Sequence, residues 1–124
     1  MKTSSVIIGL LLSLSLCATE YVGSLQMANG YSLDNVRVNI DKQGNLTLYR
    51  VKFARMMPVR VDVLIPHLTR SNHHVKGDNI IPLVNGKQYP KRIVTNLHGS
   101  VDDKSLHVRC LLGGKEMQYK GTRK

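Results

Sequence analysis

Residues 104–122 read KSLHVRCLLGGKEMQYKGT, and this stretch decides the fold class. Before its two glycines, apolar residues recur at every second position: Leu106, Val108, Cys110 and Leu112. A period of two is typical of a β-strand with one buried face, whereas a helix repeats its apolar residues every three or four positions. Gly113-Gly114 favours a tight turn, because glycine adopts positive φ at no steric cost. The stretch therefore predicts a β-hairpin.

The same alternation recurs in residues 36–40 and 59–65, and turn signals such as Lys42-Gln43-Gly44-Asn45 and Asn85-Gly86 separate the runs. We predict roughly eight strands, at about 20–28, 33–41, 45–54, 58–66, 73–83, 88–99, 104–112 and 115–122. Short strands joined by tight turns favour a small up-and-down antiparallel barrel, with a two-sheet β-sandwich as the alternative. The least regular segment, 67–79, is the predicted loop that varies with function.

The N-terminus is typical of a secretory signal. Met1-Lys2 supplies a positive charge, and an apolar run continues to Leu16, too short to span a bilayer comfortably. We predict a signal peptide over 1–17 and a single mature domain over 18–124. Cys17 admits a second interpretation as the lipid-bearing residue of a bacterial lipoprotein, although Leu16 before it counts against this. No later stretch is long and apolar enough to predict a transmembrane helix.

Cysteine usage supports a closed fold. Once Cys17 leaves with the signal, Cys110 has no partner for a disulfide, so an exported domain of this size must rely on its fold for stability. A barrel also removes the exposed strand edges that invite aggregation. Because Cys110 shares a face with Leu106 and Val108, we predict that it is a buried small hydrophobe rather than a nucleophile.

The charge of the chain favours anionic partners. The formal net charge is +10 with a pI near 10.0, and loss of Lys2 with the signal leaves +9. Such a charge predicts attraction to anionic surfaces and polymers. We do not expect nucleic acid as the target, because Tyr49 beside Arg50 and Lys52 is not part of a basic stripe interleaved with aromatic residues. No G-x-S-x-G turn or phosphate-binding glycine loop occurs, so no catalytic residue is assigned and no enzyme is expected.

The histidines are the weak candidates for a metal site. Symmetric pairing about a turn at 102–103 places His98 opposite His107, which brings two imidazoles together. No carboxylate sits at a ligand spacing beside them, and the preferred interpretation is two half-exposed histidines on an outer face. We expect neither a metal nor a cofactor.

Several segments carry a resemblance when they are taken in order: Tyr21-Val22-Gly23-Ser24-Leu25, residues 35–40, residues 43–48, the pair 97–101 and 105–108, and residues 117–121. This order resembles the calycin-like β-barrel domain of small exported proteins and lipoproteins of Bacteroidetes. The resemblance implies a lipocalin-like barrel in the periplasm or at the cell surface of a Gram-negative bacterium of that group. It implies no activity and no catalytic residues. The chain departs from authentic lipocalins in being shorter and in lacking the tryptophan of their G-x-W pattern.

Charge, composition and resemblance together predict a non-enzymatic, exported, monomeric β-barrel that binds a small ligand or a partner in the cell envelope. The ligand-binding residues and the ligand are not identifiable from the sequence. The alternative is a surface protein that associates by charge with anionic envelope polymers or lipid headgroups.

Overall fold

The computed structural model describes residues 19–124; the predicted signal peptide and the lipid-attachment candidate Cys17 lie outside the described residues. All the secondary structure that it describes is β, and every strand belongs to one antiparallel sheet of 11 strands. The strands run β1 Thr19–Met27, β2 Ser32–Ile40, β3 Leu46–Val51, β4 Val61–Ile65, β5 Thr69–Arg70, β6 His74–Gly77, β7 Leu83–Val84, β8 Lys87–Gln88, β9 Val94–Val101, β10 Ser105–Leu112 and β11 Lys115–Arg123. Residues 19–124 form no helix long and apolar enough to cross a bilayer.

The sheet curls into a barrel-like shape. Its strand order is β5-β6-β9-β10-β11-β1-β2-β3-β4-β7-β8, so the last strand pairs with the first. The sheet has two arms, one containing β3 and β4 and the other containing β6 and β5. Only three residues separate the end of β4 from the start of β5, so the chain passes directly from one arm to the other. The predicted all-β, antiparallel, barrel-like class is confirmed. The structure has eleven strands rather than eight, and one continuous sheet replaces the two sheets of the sandwich alternative.

The two arms meet at the turn between β2 and β3. The Leu68 amide donates a hydrogen bond to the Gly44 carbonyl (2.9 Å), and a guanidinium nitrogen of Arg70 donates to the Asp41 carbonyl (2.9 Å). Gly44 has a φ of 87°, and a Cβ at this position would overlap the Leu68 carbonyl oxygen. A glycine is therefore required here, both for its backbone conformation and for the close approach.

The predicted hairpin turns are present. Asn85-Gly86 has φ values of 50° and 84°, and Gly113-Gly114 has 59° and 82°, the positive angles that a two-residue hairpin needs. The middle of the chain differs from the prediction. Of the predicted strand 73–83 only β6 and the first residue of β7 form, and of the predicted strand 88–99 the last residue of β8 and most of β9. The small β7–β8 hairpin lies between them, and the predicted variable segment 67–79 contains β5 and β6.

The core consists of the inward-facing apolar side chains of the curled sheet, and no polar or charged residue of the described chain is buried in it. Two tyrosines reach across it. The Tyr119 hydroxyl donates to the Val36 carbonyl (2.9 Å), and the Tyr21 hydroxyl donates to the Asp102 carbonyl (2.8 Å). Cys110 is buried and free, as predicted, and burial raises the pKa of its thiol to about 12.

Candidate anion-binding site

A bulge in β3 places two consecutive side chains on the outer surface. Leu48 pairs with Val63 and Val51 pairs with Val61, so Tyr49 and Arg50 together face the single residue Asp62. Arg50 takes a φ of 55°, and its amide donates a hydrogen bond to the Asp62 carboxylate (2.8 Å). An extra residue in one strand redirects side chains in this way. Tyr49 is consequently half-buried on the outer face and Arg50 is exposed beside it.

The bulge forms one wall of an open groove, which we call the arginine groove, with a volume of about 420 Å³. Its lining residues come from β2, β3 and the residue just before β4: Asn35, Val36, Arg37, Tyr49, Arg50 and Arg60. The guanidinium carbon of Arg37 lies 4.6 Å from the centroid of the Tyr49 ring, a cation–π contact. Arg60 donates a hydrogen bond to the Arg50 carbonyl (3.3 Å). Three arginines and one tyrosine therefore line the same groove, and the Arg37 guanidinium packs against the ring.

The groove has an excess of positive charge. In the part of the chain that the structure describes, both ion pairs use Glu20, which lies 3.6 Å from Arg37 and 3.4 Å from Lys124. Asp62 accepts the backbone amide of Arg50 and forms no ion pair with the groove. Arg50 and Arg60 thus present guanidinium groups without a carboxylate partner. Guanidinium matches the geometry of phosphate, sulfate and carboxylate. An aromatic ring packs against the C–H face of a sugar or against a flat group.

The histidine candidates lie in a second surface cleft, with a volume of about 370 Å³, on β6, β9 and β10. The predicted pairing of His98 with His107 is wrong: His98 faces Arg109, and His107 faces Ser100. The Asp102 carboxylate accepts the amides of Lys104 and Ser105, which centres the turn one residue later than predicted. The two imidazoles are diagonal neighbours on the outer face. His74, which the sequence did not single out, lines the same cleft.

This cleft does not have the composition of a metal site. Its other polar lining residues are Lys76, Ser100 and Arg109, and within residues 19–124 no three His, Cys, Asp or Glu side chains are grouped to hold a metal ion. The pKa of His107 is lowered, first by burial and then by the nearby charges of Lys120, Arg109 and His98. With its pKa lowered, His107 adds little positive charge at neutral pH to the Lys76 and Arg109 of this cleft, whereas the arginine groove holds three permanent guanidinium groups.

We compared the chain with protein families, curated proteins and solved structures. The chain matches no protein-family model, no curated protein and no solved structure at a significant level.

Proposed function

We propose that the chain is a non-enzymatic, exported protein of a bacterial cell envelope that binds anionic groups of envelope polymers or lipid headgroups through the arginine groove. The observation that carries this proposal is that Arg37, Arg50 and Arg60 line one groove with Tyr49 and that, within residues 19–124, Arg50 and Arg60 form no ion pair. The net charge, which is +9 once Lys2 leaves with the signal, adds a long-range attraction that guides anionic partners to the surface.

The packing of the interior favours the outer surface over an internal ligand site. Ligand cavities combine apolar walls with a few polar groups that orient the ligand. In residues 19–124 the buried residues are apolar or aromatic; Tyr21 and Tyr119 donate their hydroxyl groups to backbone carbonyls, and of the buried tyrosines Tyr31 has a hydroxyl without a partner. The arginine groove, by contrast, opens on the outer face. We therefore favour charge-driven surface binding over the small internal ligand.

We also propose that the barrel is a closed, eight-membered one of the calycin-like kind. If β4 and β5 are two halves of one strand that bends at Pro66–Leu68, a continuous circuit runs through β1, β2, β3, β4–β5, β6, β9, β10 and β11. The β7–β8 hairpin is then an appendage on β4. This circuit and the order of the sequence segments support the calycin-like assignment and, with it, an envelope location.

Binding to dextran sulfate, an anionic polymer, tests the groove. We compare Arg50→Gln/Arg60→Gln with Lys87→Gln/Lys115→Gln, which removes the same charge from exposed residues elsewhere. A charge-assisted hydrogen bond contributes enough that each groove arginine is worth roughly tenfold in affinity. The groove variant should lose this affinity, the lysine variant should lose little, and wild-type binding should weaken steeply with salt. Equal losses in the two variants, or binding indifferent to salt, would contradict the proposal.

A further inference from the structure

The loop between β3 and β4, residues 52–60, exposes two large apolar side chains. The large hydrophobic residues exposed in the described chain are Met56 at 91%, Val59 at 61% and Tyr89 at 40%, so the two most exposed share this loop. Single exposed hydrophobic residues are ordinary, but two of them in one short loop indicate a candidate contact surface. We call Met56 and Val59 the apolar tip.

The apolar tip is built on a preformed turn. The Met57 amide donates to the Ala54 carbonyl (3.2 Å), which places Arg55 and Met56 at the two central positions of the turn. The Phe53 amide donates to the sulfur of Met57 (3.1 Å), and Phe53 packs against the core. The loop therefore divides its apolar residues: Phe53 and Met57 anchor it, while Met56 points to solvent.

Cations surround the tip. Arg55 lies next to Met56 in the turn, Arg60 follows Val59, and residues 52–60 contain no acidic residue. Arg60 also reaches back to the Arg50 carbonyl, so the base of the loop is a wall of the arginine groove. Because β3 runs in the same direction as β1, the loop lies at the end of the sheet opposite Thr19. Arg60 belongs to both the loop and the arginine groove and so links the apolar tip to the groove; together they are a candidate docking surface.

We propose that this surface docks on an anionic lipid bilayer, with Met56 and Val59 inserted at the headgroup boundary and phosphate groups bound by Arg55 and the arginine groove. The inference rests on the proposed function and names the partner of the same site. An anionic bilayer offers both halves of this chemistry, since basic side chains gain from anionic headgroups and the apolar tip gains from leaving water. A soluble anionic polymer offers no apolar phase for Met56.

Co-sedimentation with vesicles tests the insertion. The vesicles are phosphatidylcholine with or without phosphatidylglycerol, and dextran sulfate provides the lipid-free arm. Met56→Asp/Val59→Asp should reduce binding to phosphatidylglycerol vesicles by at least about tenfold, because the apolar transfer is lost and a repulsive charge is added. The same variant should bind dextran sulfate as the wild type does, within about threefold for the charge added. Tyr89→Asp is the control for an apolar-to-acidic change elsewhere; it adds one negative charge where the double variant adds two, and it should bind both within about threefold of the wild type.

A fluorescent side chain reports directly whether the apolar tip enters the bilayer when the vesicles are in excess. The chain has no tryptophan, so Met56→Trp provides a single probe and Tyr89→Trp its control. A blue shift at position 56 alone on adding phosphatidylglycerol vesicles supports insertion. Wild-type vesicle binding by Met56→Asp/Val59→Asp, or an unshifted Met56→Trp spectrum, overturns insertion and leaves the groove proposal standing. Loss of groove dependence on dextran sulfate instead overturns the proposed function itself.

Discussion

Replacing Gly44 by alanine should loosen the contact that joins the two arms of the sheet. A non-glycine residue at a φ of 87° costs about 1–2 kcal/mol of backbone strain. The new Cβ overlaps the Leu68 carbonyl oxygen, so the β4–β5 segment must move and its hydrogen bond to Gly44 is lost, about 1 kcal/mol more. We expect Gly44→Ala to lower the free energy of unfolding by about 2–3 kcal/mol and Tm by roughly 10–20 °C.

Gly30→Ala is the matched control for this prediction. Gly30 has a φ of 89° in the turn between β1 and β2, but a Cβ there would meet nothing within 4 Å. Urea unfolding followed by circular dichroism compares the two variants. The alanine at 44 should cost at least about 1 kcal/mol more than the alanine at 30, because only the first breaks the hydrogen bond. Equal losses would refute the idea that Gly44 and Leu68 hold the arms together.

Two further predictions concern the core. Tyr119→Phe removes the hydroxyl that donates to the buried Val36 carbonyl. It should lower the free energy of unfolding by about 1–3 kcal/mol in the same urea experiment. An unchanged urea midpoint would mean that this hydrogen bond adds nothing to stability. The Cys110 thiol, with its pKa raised by burial from 9.0 to about 12, should resist iodoacetamide at pH 8.5 until urea unfolds the chain. The same shift makes stability fall as pH rises from about 9 to 12, because the unfolded chain loses the proton first; this part of the fall should be missing in Cys110→Ala.

The fold class and the turns followed from local signals. The Asn85-Gly86 and Gly113-Gly114 turns depend on residues that tolerate positive φ, and neighbouring residues alone determine this. Strand pairing depends on partners far away in the chain. The pairing of His98 and His107 was predicted two residues out of register, since the hydrogen bonds of the Asp102 carboxylate moved the turn centre. A small error in the turn changes every cross-strand pair.

The arginine groove was beyond the reach of the sequence pattern. Its arginines come from three separate segments of the chain. Among the arginines and Tyr49, only Tyr49 and Arg50 are adjacent in the sequence. Their joint exposure requires the bulge opposite Asp62, which strand periodicity does not show. The one signal in the sequence is the tyrosine–arginine pair itself, Tyr49-Arg50, which stands between the inward-facing Leu48 and Val51. The basic composition predicted the sign of the partner's charge but not the place where it binds.

We propose that anions bind on the outer face, at the arginine groove, rather than inside the barrel. The most direct measurement is a titration of the isotope-labelled protein with sucrose octasulfate, followed by amide chemical shifts. We expect the largest changes in amide chemical shift at Arg37, Tyr49, Arg50 and Arg60. These changes should be lost in Arg50→Gln/Arg60→Gln. Largest shifts at core residues such as Leu97 and Val108, or in the histidine cleft, would contradict the proposal.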